Sequence, residues 1–194
     1  MMLSEKLKKY NIILASQSPR RQMLLKGLDI NYTLKLKDVN EDFPRHLKRE
    51  EIALYLAEKK ANAFNNDLLD DTLIITADTI VWINNQVLGK PKDFNDAVRI
   101  LKILSGHEHE VITAICLKTK LKTTSFFSLT KVAFKELSEE EIHYYINNYK
   151  PYDKAGAYGA QEWIGYVAIK HIEGSYFNVM GLPTRLLYDE LLKF

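Results

Sequence analysis

Two rhythms of apolar residues divide this chain. Residues 11–15, NIILA, form a short unbroken apolar run between turn formers, which predicts a buried strand. Ser18-Pro19 follows as a helix N-cap and first helical residue, and Met23, Leu24 and Leu28 give that helix an apolar side. Residues 32–36 alternate, which predicts a strand with one buried face. Residues 49–66 return to the helical period, with Ile52, Leu56 and Ala63 along one stripe and acids at the start. TLIITADTIVWI, residues 72–83, is a strong strand signal, and Asn84-Asn85 after it predicts a hairpin turn. Asp93 caps a helix carrying Ala97, Ile100, Leu101 and Leu104. Residues 110–119 and 123–137 read as paired strands across a lysine-rich turn. Ser138 and Glu141 form a capping box ahead of Ile142, Tyr145, Ile146 and Tyr149. Residues 163–174 mix strand formers with glycine, and Pro183 opens a last helix through Leu186, Leu187 and Leu191.

Strands and helices interleave, yet several strands are neighbours in sequence, and hairpins need antiparallel pairs. The expected fold class is therefore α/β, in the sense of an α+β mixed sheet rather than a purely parallel one. No repeat, low-complexity tract or proline–glycine linker interrupts the pattern, so residues 1–194 read as one domain.

Composition narrows the function classes. The formal net charge of +2 is too small for bulk attraction to nucleic acid or a membrane. Cys116 is the one cysteine, so an internal disulfide and a metal–thiolate cluster are both excluded within the chain, which suits a reducing, cytoplasmic location. The first ten residues lack the apolar core of a signal peptide, and no stretch approaches the roughly 18 apolar residues of a membrane span.

Five stretches carry candidate chemistry. In SQSPRR, residues 16–21, an exposed helix start offers free N–H groups, with hydroxyls from Ser16 and Ser18 and guanidinium groups from Arg20 and Arg21. Either it binds an anion, or it is a capped helix start with two solvated arginines. Asp78 lies in an apolar run, where a carboxylate is costly unless paired, metal-bound or at a strand end. It can hold Mg²⁺ or Mn²⁺ or take a proton from water, or it can cap a bend with its own backbone, while Thr79 reads as a strand residue. Lys90, between Gly89 and Pro91, sits in a restricted loop where its ammonium can meet a phosphate. Lys60 is a weaker phosphate candidate still, since it also reads as a lysine favourably placed at the negative end of its helix. Glu41, with Asp38 and Asp42, is either a source of metal-ligand oxygens or part of a solvated acidic loop. In residues 153–165 three glycines interleave with Tyr158, Gln161 and Trp163, so the backbone can approach a ligand closely and the Gln161 amide can read a base edge. The alternative is a turn packed by aromatics. EGSYFNVMGLP, residues 173–183, reads as a packed turn supporting that loop. His107 and His109 lack a third ligand nearby, and Cys116 on an apolar strand reads as a buried inert thiol. No Ser-His-Asp string, Walker loop or dinucleotide fingerprint is present.

LASQSPRRQMLL, LAEKKA, ITADTIV, LGKP, LSGHEHEVITA, DKAGAYGAQE and GSYFNVMGLP occur in this order from about Ile12 to the last helix. Each is moderately specific, but the ordered set resembles the Maf family of nucleoside triphosphate pyrophosphatases. The resemblance implies a two-lobed mixed α/β fold with a central cleft, similar to inosine triphosphate pyrophosphatases. It implies hydrolysis of a nucleoside triphosphate to monophosphate and pyrophosphate with Mg²⁺ or Mn²⁺ as cofactor. On this chain the family's catalytic aspartate falls on Asp78. Its phosphate and substrate contacts fall on Ser16, Arg20, Arg21, Lys60 and Lys90, and its acidic-loop metal ligand falls on Glu41. The specificity trio falls on Arg20, Thr79 and Gln161, the combination of the branch acting on dTTP and UTP rather than 7-methyl-GTP. One departure stands out: the family's Asp-Glu pair in the acidic loop is Asn40-Glu41 here. The implied partners are the nucleotide and a second copy in a homodimer, with no membrane or stable nucleic-acid partner. The nearest alternative is the same chemistry on a modified nucleotide such as 7-methyl-GTP, and a nucleotide-binding module without turnover is the contrasting class.

Overall fold

The computed structural model describes residues 2–194. Its elements run α1 (Leu3–Leu7), β1 (Asn11–Leu14), α2 (Pro19–Lys26), β2 (Thr33–Leu34), α3 (Glu50–Asn62), β3 (Thr72–Ile83), β4 (Gln86–Leu88), α4 (Phe94–Leu104), β5 (Glu108–Lys118), β6 (Thr123–Phe134), α5 (Glu139–Tyr149), α6 (Trp163–Ala168), β7 (Ile169–Glu173), α7 (Tyr176–Val179) and α8 (Thr184–Lys193). The strands form one seven-stranded sheet in the order β2-β1-β3-β5-β6-β7, with β4 pairing beside β3. β1 runs parallel to β2 and β3, whereas β4 on β3 and β7 on β6 are antiparallel, so the sheet is mixed, as the interleaved pattern predicts. Among the described residues no helix is long and apolar enough to cross a membrane.

Contacts gather into two compact units. The first takes the chain up to Asp78, Thr113–Ser128 and Gly181–Phe194. Its strand β1 is buried at Ile12, Ile13 and Leu14, as befits an apolar run flanked by strands on both sides. Ser18 caps α2 by accepting from the Arg21 backbone N–H, with Pro19 at the first helical position. The helix buries Leu24 and Leu25, while Met23 is 55% exposed, and the helix ends before Leu28. The face therefore lies one residue off the predicted stripe, because α2 is only two turns long. The predicted strand over 32–36 shrinks to Thr33–Leu34. β1 ends at Leu14, so only Ile13 and Leu14 face it, and Leu34 and Leu36 stay exposed at the sheet edge. Residues 35–48 then form no helix or strand, a length that in compact domains usually carries function.

α3 is fastened to β3 by a buried contact. The Thr76 hydroxyl donates to the Ala57 carbonyl at 2.7 Å. Thr76 and Asp78 are two apart on a strand and so share a face, and Ala57 and Lys60 are three apart on a helix and share another. Thr76→Val keeps the volume and removes the donor, so a loss of about 1 kcal/mol is expected in urea unfolding.

The second unit holds Thr79–Ile112 and Leu129–Met180. Its core joins Ile100, Leu101 and Leu104 of α4, Ile142, Tyr145 and Ile146 of α5, and Val132 and Phe134 of β6. Asn84 and Asn85 both take positive φ, 50° and 58°, and close a two-residue hairpin in which Ile83 faces Gln86. The predicted caps Asp93 and Ser138 are both formed, the latter with Glu141 as a full capping box. Residues 163–174 resolve into a helical stretch, α6, and then β7.

Candidate active site

In the first unit the chemistry gathers at Asp78, inside β3 and at the end of the part of that strand that belongs to this unit. Asp78 is only 7% exposed. Lys60 of α3 reaches it from the facing helix, with Nζ 2.5 Å from Oδ1. The same ammonium lies 2.7 Å from Glu41 Oε1, which hangs from the 35–48 loop. One nitrogen thus joins two carboxylates that are 37 residues apart in sequence. Burial pushes the Asp78 carboxyl above the usual carboxylate range, against the pull of Lys60 and Arg21. Lys60 is therefore more than the helix-end lysine that its position alone suggested.

The opening motif supplies the other wall. Ser16 is buried, and its hydroxyl accepts from the Ser18 backbone N–H at 3.2 Å. Arg21 turns inward from α2. Its Nε donates to the Gly181 carbonyl and one terminal nitrogen to the Ala77 carbonyl, each at 2.8 Å, with Ser16 Oγ at 3.5 Å. Burial depresses its pKa while Asp78 raises it, and a guanidinium keeps its proton at neutral pH regardless. Arg21 thereby braces α2 against β3 and the segment leading into α8, and its charge acts on Asp78. Arg20, its neighbour on α2, is half-buried.

In the second unit, Thr79 follows Asp78 on β3 and by strand alternation points to the opposite face. Lys90 is exposed in a loop held by the Gly156 N–H, which donates to the Gly89 carbonyl at 3.1 Å. Gly156 has φ +72°, and a Cβ there would lie 2.7 Å from Val81 Cγ2, so both conformation and space demand glycine. Gln161 is half-buried, and its Oε1 is buried with no hydrogen-bond partner. Its Nε2 lies 3.0 Å from where a Gly159 Cβ would be, so the amide occupies room that glycine leaves. Tyr158 proves to be core: its hydroxyl and the His109 Nε2 are 2.8 Å apart, and both rings meet Phe134 edge-on. Burial pushes His109 down to about 3, so it is neutral, and His107 hydrogen-bonds the Ser105 carbonyl through Nδ1. Cys116 is buried, with its thiol pushed up by burial.

Two charged groups were not singled out from sequence. Lys154 is 7% exposed and pairs with Glu162 Oε1 at 3.1 Å and Asp153 Oδ1 at 2.7 Å. The Tyr145 hydroxyl donates to Glu162 Oε2 and accepts from the Gly159 N–H at 3.0 Å. The two ends of the Gly-rich loop are thus pinned together, directly before and after the stretch that ends at Gln161. The signal available was weak: a lysine and a glutamate eight apart, each of a type that is normally solvated. The 173–183 stretch is packed only in part: Tyr176 and Phe177 are exposed, while buried Asn178 donates to the Val111 carbonyl and Thr130 Oγ1, tying α7 to β5 and β6 rather than to the Gly-rich loop.

Among the described residues no group of three or more His, Cys, Asp or Glu is poised around a common centre. Two carboxylates converging on one cation nevertheless fit Mg²⁺ or Mn²⁺, which commonly take one or two protein carboxylates and complete their shell with phosphate oxygens and water.

A dTTP/UTP pyrophosphatase of Flavobacterium johnsoniae is 56% identical over 190 residues, covering 98% of each chain. One of Porphyromonas gingivalis is 52% identical over 193 residues, covering 98% of this chain and 97% of its own. Among solved structures, the Staphylococcus aureus Ham1 protein aligns with 93% of this chain and 99% of its own, at 16% identity and a TM-score of 0.47. The family model for Maf-like proteins matches residues 11–194. With nearly its whole length matched, the chain belongs to the Maf family.

Proposed function

We propose that this chain hydrolyses dTTP and UTP to the monophosphate and pyrophosphate. The observation that carries the reading is the buried Asp78 joined through Lys60 to Glu41, on a chain 56% identical to a dTTP/UTP pyrophosphatase. Asp78 takes a proton from the water that attacks the α-phosphorus. The new bond is water oxygen to α-phosphorus, the broken bond is α-phosphorus to the bridging oxygen, and pyrophosphate leaves with that electron pair. A carboxylate held mostly out of water and above its ordinary pKa is a stronger base than a solvated one. Lys60, Lys90 and Arg20 supply cationic donors to a triphosphate of about four negative charges, Ser16 a hydroxyl, and Arg21 a fixed charge behind Asp78. Glu41 and Asp78 are the residues that would hold Mg²⁺ or Mn²⁺, which supplies charge neutralisation of the phosphoryl oxygens when bound.

Arg20, Thr79 and Gln161 set the base preference in this reading. The amide of Gln161 offers one donor and one acceptor, which complements uracil and thymine. Its unpartnered buried Oε1 is an acceptor whose hydrogen-bonding capacity no protein group uses. Gln161→Glu removes the donor and adds charge, so kcat/KM for UTP and dTTP is expected to fall about tenfold or more. An unchanged substrate profile would remove Gln161 from specificity.

The test is a panel of nucleoside triphosphates, 7-methyl-GTP included, with Mg²⁺ or Mn²⁺ and detection of pyrophosphate. Release from UTP and dTTP above the others is expected. No pyrophosphate from any of them would end the enzyme reading, and a preference for 7-methyl-GTP would move the substrate. Elution of the intact protein on a calibrated column tests the homodimer.

A further inference from the structure

Lys60 holds a position that chemistry would give to a metal. Its ammonium bridges Asp78 Oδ1 at 2.5 Å and Glu41 Oε1 at 2.7 Å, and its side chain is 18% exposed. Without a cation between them, two carboxylates this close would repel, and one of them is largely out of water. The Glu41 loop is tied to α3 at two other points, both by lysines bonding carbonyls. Lys59 Nζ donates to the Asp42 carbonyl at 2.9 Å, and Lys37 Nζ to the Ala63 carbonyl at 2.9 Å. Those two ties leave both carboxylates of the pair uninvolved, so the loop keeps its attachment if Lys60 departs. A lysine suits departure, being a compact charge on a four-carbon flexible stem.

We propose that Lys60 is an exchangeable plug, resting between Glu41 and Asp78 in the metal-free protein and expelled when a divalent cation takes the two carboxylates. The inference rests on the metal reading given above. Expulsion turns the ammonium from a carboxylate partner into a free donor for phosphate. The metal-free pair is thus bridged and half offset by its own lysine, and the cation takes over both carboxylates and frees the phosphate-binding charge in one exchange.

Two measurements test this at a fixed pH near 8. The first is Mn²⁺ affinity without nucleotide, from the electron paramagnetic resonance of free Mn²⁺. Lys60→Met keeps the stem and removes the competitor, so Mn²⁺ should bind about tenfold or more tightly than in the unaltered protein, the worth of the charge-assisted bonds no longer displaced. Equal or weaker binding would overturn the plug. The second uses the unaltered protein and does not depend on that variant folding. Lys60 is acetylated by trace acetic anhydride and read by mass spectrometry against the other lysines, with and without Mg²⁺. The plug predicts that Lys60 labelling rises several-fold when Mg²⁺ saturates, because the amine leaves its two carboxylates. Unchanged labelling at saturation would overturn it, and would mean that Lys60 acts only as a nearby charge. If the unaltered protein binds no Mn²⁺ with or without UTP, the metal reading itself fails, and the plug with it.

Discussion

Asp78→Asn is expected to lower kcat for UTP by about 10³-fold or more while the protein stays folded. The substitution is nearly isosteric, keeps an oxygen for the Lys60 ammonium, and removes only the negative charge and the basicity. Pyrophosphate release at saturating UTP reads the first effect, and thermal unfolding reads the second. The sign of the stability change follows from burial. Desolvation raises the Asp78 pKa in the folded state, more than Lys60 and Arg21 lower it. A carboxyl with a raised folded pKa favours the fold most at low pH, and that contribution is lost as pH rises through the folded value. Wherever Asp78 is ionised it therefore costs stability relative to its neutral form, so the neutral amide is expected to leave the Tm unchanged or higher. Full activity in Asp78→Asn would refute its role as base.

The elements that were legible in the sequence are those fixed by local chemistry. Asn84-Asn85 predicted its hairpin because two consecutive positive φ angles suit asparagine and few other residues. Ser18, Asp93 and Ser138 predicted their caps because a side-chain oxygen satisfies N–H groups that the helix leaves orphaned. What failed locally was decided by neighbours far away in sequence. Residues 32–36 have the right alternation for a strand, but β1 ends at Leu14 and offers a partner to only two of them. Met23 fits an apolar stripe, yet a helix of eight residues can settle either side of it, and Leu24 with Leu25 proved to face the core.

The candidate site divides in the same way. Asp78 was legible because a carboxylate inside an apolar strand must be explained wherever it occurs. Arg21 was legible as a charge but not as a brace, since the carbonyls it holds belong to Ala77 and Gly181, 56 and 160 residues away. Lys60 and Glu41 each had a bland alternative, and only the packing of α3 on β3, with the 35–48 loop laid against α3, brings them to Asp78. Lys154 and Glu162 were invisible for the opposite reason. Their residue types advertise solvent, yet Lys154 is buried and Glu162 is mostly so, held by the Tyr145 hydroxyl from a helix whose periodicity marked it as ordinary core.

That buried pair yields the largest expected loss of stability. Lys154→Met fits the volume of the site but strands Glu162, whose Oε1 loses its ammonium while Oε2 keeps only the Tyr145 hydroxyl. Removing one partner of a buried ion pair costs about 3–5 kcal/mol, because the remaining charge stays desolvated and unpaired. For a domain of this size that corresponds to a fall in Tm of roughly 6–20 °C. Asp153 does not rescue the variant, since it is mostly exposed and carries the same sign as Glu162. The pairing predicts its own suppressor. Adding Glu162→Gln removes the stranded charge while leaving an amide for the Tyr145 hydroxyl, so the double variant should regain most of the loss. Differential scanning calorimetry of the two single variants and the double closes the cycle. Additive losses would show that Lys154 and Glu162 are not coupled. A recovered Tm would show that the charge itself, rather than the lysine's packing, sets the stability of the loop that carries Gln161.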